Sequence, residues 1–197
     1  MSLDKVIHNC QKKGINCIAV ADHGTTEGAV EMQRLAPFPV IIAEEILTPH
    51  GEIIGLFLKE TIPSGLSVEE TISRIKAQGG LVCIPHPFDS TRQSALRNQT
   101  IEEIIGQIDV IEAFNARSLF NRGSVRARSF AEKHGIPMSA GSDAHTTPEI
   151  GNAYVEMPEF NGKDDFLKAL GKGMVVGHRT NPMVHFGSVW ARIKKLF

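Results

Sequence analysis

Residues 139–145 read Ser-Ala-Gly-Ser-Asp-Ala-His and follow a short apolar run. Two other apolar runs end in a similar way, one at Asp22-His23 and the other at His86. Carboxylates and neutral imidazoles bind divalent metals through oxygen and nitrogen. Three such endings, each where a buried strand is expected to stop, predict that these side chains converge on one metal centre.

Strand-like and helix-like segments alternate along the chain. We predict strands at residues 15–20, 40–47, 52–58, 81–84, 109–113, 136–139, 152–157 and 174–176. We predict helices at residues 3–13, 25–35, 68–77, 101–106, 118–134 and 163–170. This alternation is typical of an α/β fold with a mainly parallel sheet, in which reactive side chains lie where strands end. The turn at residues 48–51 favours a hairpin between the two strands that flank it.

The composition fits one globular domain over residues 1–197. Apolar residues make up 42% of the chain, charged residues 22%, and the formal net charge is −1. A chain without a basic field is expected to form no stable nucleic-acid complex and to bind no membrane, although a bound metal can still attract a nucleotide. Three cysteines without a CxxC pair, and no apolar run of about 20 residues, predict a cytoplasmic protein. The oligomeric state is left open.

Glu44 and Glu45 interrupt an apolar run. Successive strand residues face opposite sides, so only one of these carboxylates is expected to point toward the site. A buried carboxylate must be paired or bound to a metal, and the alternative is a strand end that reaches solvent.

The other candidates differ in strength. Asp143 and His145 are the strongest, because side chains two positions apart in an extended segment project to the same side. His86 is flanked by prolines that would hold its ring in one direction, although it also fits a plain loop histidine. Asn115 can supply a carbonyl ligand, and Arg117 suits bidentate phosphate recognition. Taken alone, Asp22-His23 fits a helix cap better than a pair of metal ligands.

In this order, the motifs resemble those of the PHP superfamily, named for polymerase and histidinol phosphatase domains. The resemblance covers nearly the whole chain. It rests on Ala21-Asp22-His23, Ala43-Glu44-Glu45-Ile46, Gly51-Glu52-Ile53-Ile54-Gly55, Pro85-His86-Pro87, Phe114-Asn115 and Gly141-Ser142-Asp143-Ala144-His145. It implies a distorted (β/α)7 TIM-like barrel with two or three divalent metals at its mouth. Manganese, zinc and iron all suit nitrogen and oxygen ligands.

The resemblance also assigns ligands. Glu45 would bridge two metals, and Asp143 would share the first of them. His86 would bind the second metal with Asn115 close to it. The third metal would be held by His23 and His145.

The family opens with a strand that ends in His-x-His, and residues 1–197 contain no such motif before the helix predicted at residues 3–13. We therefore expect a barrel that lacks its first strand. The basic, amphipathic pattern at the other end predicts a short helix at about residues 187–197.

The resemblance implies hydrolysis of a phosphoester by metal-activated water, on a small phosphorylated metabolite, a nucleotide or a short RNA end. His23 or His145 would protonate the leaving alcohol, and Arg117 would stabilise charge on the phosphoryl oxygens. Two alternatives stay open: a metal-binding domain without catalytic activity, and a related hydrolase that cleaves another bond, such as an amide.

Overall fold

Strands and helices follow the predicted order in residues 1–180, the part of the chain that the computed structural model describes. The strands are β1 (Ile18–His23), β2 (Val40–Thr48), β3 (Gly51–Leu56), β4 (Leu81–Ile84), β5 (Val110–Asn115), β6 (Met138–Gly141), β7 (Ala153–Glu156) and β8 (Met174–Gly177). The helices are α1 (Leu3–Lys12), α2 (Glu27–Leu35), α3 (Val68–Ala77), α4 (Asn98–Glu103), α5 (Asn121–His134) and α6 (Lys163–Leu170). Short 3-10 helices span Ile105–Gln107 and Thr147–Glu149.

The predicted helix at residues 187–197 lies outside the described residues. Among residues 1–180, each helix is too short or too polar to cross a membrane.

Strands β1 to β6 form one sheet in chain order, and β7 pairs with β8 in a separate antiparallel pair. The β1–β2, β4–β5 and β5–β6 pairs are parallel, whereas β2–β3 and β3–β4 are antiparallel. The hairpin predicted at residues 48–51 is therefore confirmed. The expectation of a mainly parallel sheet is only partly right, because so short a turn can join only antiparallel neighbours.

The outer strands of the six-stranded sheet are β1 and β6. Strands β7 and β8 pack beside β6 without joining its hydrogen-bonded ladder. Within residues 1–180 the sheet is thus open, and the barrel that lacks its first strand stays a prediction.

The apolar core covers both faces of the sheet. One cluster packs α3 and α5 against one face, and a second cluster packs α6 against the other. Ile41 and Ala43 belong to the second cluster. Because side chains alternate along a strand, Glu45 lies on the face of Ile41 and Ala43, and Glu44 lies on the face toward α3.

Candidate metal centre

Three neighbouring strands place a histidine and two glutamates side by side. His23 and Glu45 are direct partners in the register of β1 with β2, and Glu52 follows diagonally on β3. The His23 Nδ1 atom lies 3.2 Å from Glu45 Oε2 and 3.8 Å from Glu52 Oε1. One ligand atom from each residue lies within 4.8 Å of the others, so the three can hold one ion.

His86 adds a second imidazole to this group. Its Nε2 atom lies 3.2 Å from Glu45 Oε1 and 3.4 Å from Glu52 Oε2, and its side chain is 2% exposed. Burial by itself lowers the pKa of His86, but the hydrogen bond to Glu45 and the charge of Glu112 outweigh it and raise the pKa above its ordinary value. The carboxylates around His86 therefore favour its protonated form over the neutral one.

Glu52 was not among the predicted ligands. Burial raises the pKa of the Glu52 carboxyl, and the charge of Glu45 raises it further. Two carboxylates that face each other in a nearly dry site repel unless a cation lies between them. This repulsion and the two flanking imidazoles make Glu52 a ligand candidate equal to Glu45.

A second group lies at the ends of β5 and β6. Asn115 Nδ2 donates to Glu112 Oε2 at 3.0 Å and to Asp143 Oδ2 at 3.4 Å. Arg92 Nη2 donates to Asp143 Oδ2 at 2.5 Å and to Asn115 Oδ1 at 3.2 Å. Burial raises the pKa of Asp143, but Arg92 more than offsets this and holds that pKa below its usual range.

Glu112 connects the two groups. Its Oε2 atom accepts from the backbone N–H of His86 at 2.6 Å as well as from Asn115. The backbone of His86 has φ 32°, a left-handed value that costs free energy and persists only where the surroundings enforce it. The Glu112 bond supplies that restraint, and burial raises the pKa of Glu112 itself.

Asp143 and His145 lie close together, but not for the predicted reason. Asp143 has φ 48°, so the segment turns and the expectation of an extended segment is wrong. The turn brings His145 Nδ1 to 2.9 Å from the Asp143 carbonyl oxygen and to 3.5 Å from Asp143 Oδ1. When Nδ1–H donates to that carbonyl, Nε2 carries the ring's lone pair and is the atom able to take a metal or a proton.

Arg117 is a buried residue whose Nη1 atom lies 3.3 Å from Glu149 Oε1. Arg92, which was not predicted, donates from its guanidinium to Asp143 and to Asn115. The role of Arg117 as a phosphate anchor stays a prediction.

Glu44 and Glu45 face opposite sides of the sheet, as strand alternation predicts. The fully buried Glu44 accepts from the backbone N–H of Ile62 at 2.9 Å. Its burial raises its pKa. The alternative of a strand end that reaches solvent is thus excluded for Glu44, which has a structural partner of its own.

The donor set fits divalent cations. Carboxylate, amide and imidazole atoms from six segments form one network of contacts, and the guanidinium of Arg92 supplies positive charge beside Asp143. Nitrogen and oxygen donors suit manganese, zinc and iron alike, so the geometry selects none of them.

Relatives of known sequence match parts of the chain. A family model described as PHP-associated matches residues 124–175. Uncharacterized protein MJ0417 of Methanocaldococcus jannaschii is 41% identical over 124 residues, which cover 61% of this chain and 52% of that protein. Uncharacterized protein MJ1587 of the same organism is 42% identical over 119 residues, which cover 59% of this chain and 69% of that protein. The chain thus spans about half the length of MJ0417.

Solved structures share the fold at low sequence identity. A two-domain protein from Bacteroides vulgatus, described as containing a predicted PHP-like metal-dependent phosphoesterase, superposes with TM-score 0.71 and 15% identity over 90% of this chain and 61% of that one. An amidohydrolase from Chromobacterium violaceum, with bound sulfate and no metal, gives TM-score 0.61 and 16% identity over 74% of this chain and 82% of that one. The first likeness shows a mixed α/β fold with a curled half-barrel sheet. The matched family segment, the archaeal relatives and this shared fold together show that the chain belongs to the PHP superfamily.

Proposed function

We propose that the protein is a metal-dependent hydrolase of phosphoesters. The observation that carries the proposal is the sharing of Glu45 and Glu52 between two imidazoles, those of His23 and His86, at 3.2 to 3.8 Å. Buried carboxylates and histidines in mutual contact are typical of sites that hold two or more divalent ions. The solved neighbour that is described as containing a predicted PHP-like metal-dependent phosphoesterase supports the same reaction class.

The ions would be held by two connected groups of side chains. Glu45 and Glu52 would hold ions together with His23 and His86. Asp143, with Asn115 beside it, would complete the site at the ends of β5 and β6, and His145 would join from the following turn. When bound, divalent ions supply Lewis-acid chemistry, which lowers the pKa of a water molecule and offsets charge on a phosphoryl oxygen.

The chain's own residues would orient the substrate and move the proton. When Nε2 is not a ligand and has taken up a proton from solvent, His145 can deliver that proton to the leaving oxygen, because its Nδ1 is engaged by the Asp143 carbonyl. Arg92 would bind a phosphoryl oxygen with the donors that Asp143 and Asn115 leave unused, since a guanidinium carries five. His23 and Arg117 keep the roles that the sequence suggested, as proton donor and phosphate anchor.

Hydrolysis of nitrophenyl phosphate and of nucleoside bisphosphates, measured with Mn²⁺, Zn²⁺ or Fe²⁺ added, tests the proposal. We expect release of phosphate that depends on metal and is lost in Glu45→Gln and His86→Gln. Glu102→Gln removes an exposed carboxylate on α4 and should leave the rate unchanged. Tight binding of fewer than two ions, with no turnover of any phosphoester, would instead favour a metal-binding domain without catalysis.

Amide hydrolysis is the second candidate, because a neighbour of similar fold is named as an amidohydrolase. Arg92 separates the two reactions, since a phosphoester is anionic and a neutral amide is not. Arg92→Gln should raise KM for phosphoesters by about tenfold, the effect of about 1.4 kcal/mol of lost binding. An unchanged KM together with turnover of amide substrates would favour the second candidate.

The remaining expectations are part of the same proposal. The curled sheet would belong to a distorted (β/α)7 barrel in a single domain, and the protein would act in the cytoplasm on a small phosphorylated substrate such as a nucleotide.

A further inference from the structure

The turn that carries Asp143 and His145 has no regular secondary structure of its own. It lies between the end of β6 at Gly141 and the 3-10 helix that starts at Thr147. Asp143 has a left-handed φ of 48°, which aspartate tolerates better than most residues but which still lies outside the common backbone conformations. Interactions from neighbouring residues therefore decide where these side chains lie.

Glu149 supplies most of these interactions. Its Oε2 atom accepts from the backbone N–H of His145 at 3.0 Å, from the N–H of Thr146 at 2.7 Å and from the Thr146 hydroxyl at 2.8 Å. The residue is 1% exposed. A capping box explains the bond from the Thr146 N–H. It explains neither the bond to His145 nor the burial of a charged carboxylate.

The carboxylate is also connected to the end of β5. Arg117 Nη1 lies 3.3 Å from Glu149 Oε1, and the backbone N–H of Arg117 donates to Asn115 Oδ1 at 2.9 Å. On the other side, Lys13 Nζ donates to the carbonyl of Pro148 at 3.0 Å and also to that of Ile150. The segment that carries Glu149 is thus held from α1 and from β5 together.

We propose that Glu149 is a positioning residue, which fixes the backbone of His145 so that its Nδ1–H stays on the Asp143 carbonyl and Nε2 keeps its lone pair. The guanidinium of Arg117 faces the other oxygen of the same carboxylate. The inference rests on the proposed function only where it assigns Nε2 of His145 a role in hydrolysis. The positioning itself can be measured without turnover.

The test uses ¹⁵N-labelled full-length protein, with and without Zn²⁺, and the variant Glu149→Gln. In the wild type we expect the ring-nitrogen shifts of His145 to report a single Nδ1–H tautomer, with slow amide exchange at His145 and Thr146. Glu149→Gln retains the size of the side chain but removes the charge that faces Arg117. We expect exchange at both amides to become at least tenfold faster and the ring to populate both tautomers.

Two further variants act as matched controls. Thr146→Val removes the hydroxyl, both as donor to Glu149 Oε2 and as acceptor of the Glu149 N–H, but retains the bond from the His145 N–H, so His145 should keep the wild-type tautomer and its amide protection. Glu156→Gln removes an exposed carboxylate on β7 and should change nothing. If Glu149→Gln does not fold, Lys13→Met, which releases the same segment from the other side, should speed exchange at His145 by several-fold.

A fully folded Glu149→Gln protein with the wild-type tautomer and exchange rates at His145 would overturn the inference. So would unchanged exchange in Lys13→Met where that variant has to be used. Kinetics add a separate readout: Glu149→Gln should lower kcat for a phosphoester with little change in KM. A wild-type protein without hydrolytic activity would contradict the proposed function and leave the tautomer and exchange results to decide the positioning role.

Discussion

Gly141 lies directly beside the Glu112 carboxylate at the end of β6. A Cβ atom at this position would overlap Glu112 Oε1, and the same carboxylate is already fixed through Oε2 by the N–H of His86 and by Asn115. We therefore expect Gly141→Ala to destabilise the protein by about 1–3 kcal/mol, the usual cost of overpacking. Because Glu112 restrains His86, the variant should also bind metal more weakly. Urea unfolding and calorimetric titration with Zn²⁺ measure the two effects.

Gly106→Ala is the matched control for that substitution, because a Cβ at Gly106 meets no atom within 4 Å. It should change stability by less than about 0.5 kcal/mol and leave metal affinity unchanged. Equal stability of the two variants would show that the Glu112 carboxylate moves freely, and that it does not hold His86 in place.

Glu52→Gln should have opposite effects on the metal-free and the metal-loaded protein. The raised pKa of Glu52 means that the folded state binds its proton more tightly than the unfolded state. This carboxyl therefore favours folding at pH below its unfolded pKa, and that contribution is lost as pH rises through the folded pKa. In EDTA, the variant should be more stable than the wild type near pH 7. Its free energy of unfolding should also depend less on pH above about 4.5.

With Zn²⁺ present the order should reverse, because the variant has lost a ligand. Thermal unfolding from pH 4 to 8, with and without the metal, measures both effects. Glu102→Gln, on the exposed surface of α4, should follow the wild type throughout. If Glu52→Gln is less stable than the wild type in EDTA, the contacts of the Glu52 carboxylate with His23 and His86 stabilise the fold by more than its burial and its repulsion from Glu45 destabilise it.

The sequence allowed some site residues to be recognised but not others. Glu112 interrupts an apolar run, which is the same signal that singled out Glu45, and the pattern could have found it. Glu52 gives a weaker signal, because it lies at the start of an apolar run and not inside one. Arg92 gives no such signal, because it lies in an irregular loop whose path depends on contacts with distant segments. The contact between Arg117 and Glu149 could not be predicted either, since only the folded chain brings the two side chains together.

The β2–β3 hairpin is the element that places Glu45 and Glu52 on one face. Its turn is closed by Thr48 Oγ1, which donates to the Gly51 carbonyl at 2.6 Å. A shift of the register by one residue would turn Glu52 to the opposite face of the sheet, away from Glu45. The hairpin was predictable from its turn residues, whereas its register was not, because the register depends on contacts outside the two strands.

One such contact is made at Gly51, where the hairpin meets the loop after β4. A Cβ at Gly51 would overlap the backbone of Leu96, and its φ of 130° suits only glycine. Gly14 also has a left-handed φ, of 69°, but its Cβ would meet open space. Gly14→Ala should cost about 1–2 kcal/mol for the backbone conformation. Gly51→Ala should cost about 1–3 kcal/mol more because of the overlap.

Urea unfolding of both variants measures this difference, and metal affinity gives a second readout. Only Gly51→Ala should weaken Zn²⁺ binding, because the loop that it displaces also carries His86 and Arg92. Equal costs for the two substitutions would mean that the loop moves away without loss and does not fix the hairpin.

On the scale of the whole molecule, the candidate ligands come from nearly every strand of the open sheet. His23 ends β1 at one edge, and Asp143 follows β6 at the other edge. The order of strands and helices could be predicted from local patterns. The curvature that brings the two edges to one site could not, because it arises from the packing of helices against both faces.

Metal binding should therefore protect the sheet from edge to edge. An ion present at a hundred times its dissociation constant stabilises the folded state by about 2.7 kcal/mol, provided that it does not bind the unfolded chain. We expect Zn²⁺ to slow amide exchange in β1 by at least tenfold, because His23 would tie this edge strand to Glu45 and Glu52. His23→Gln should abolish the protection of β1 but retain that of β4 to β6, whereas His8→Gln, on the surface of α1, should retain both. Protection confined to β4 to β6 in the wild type would mean that the ion is bound by His86 and Asp143 without His23, and that β1 takes no part in the metal centre.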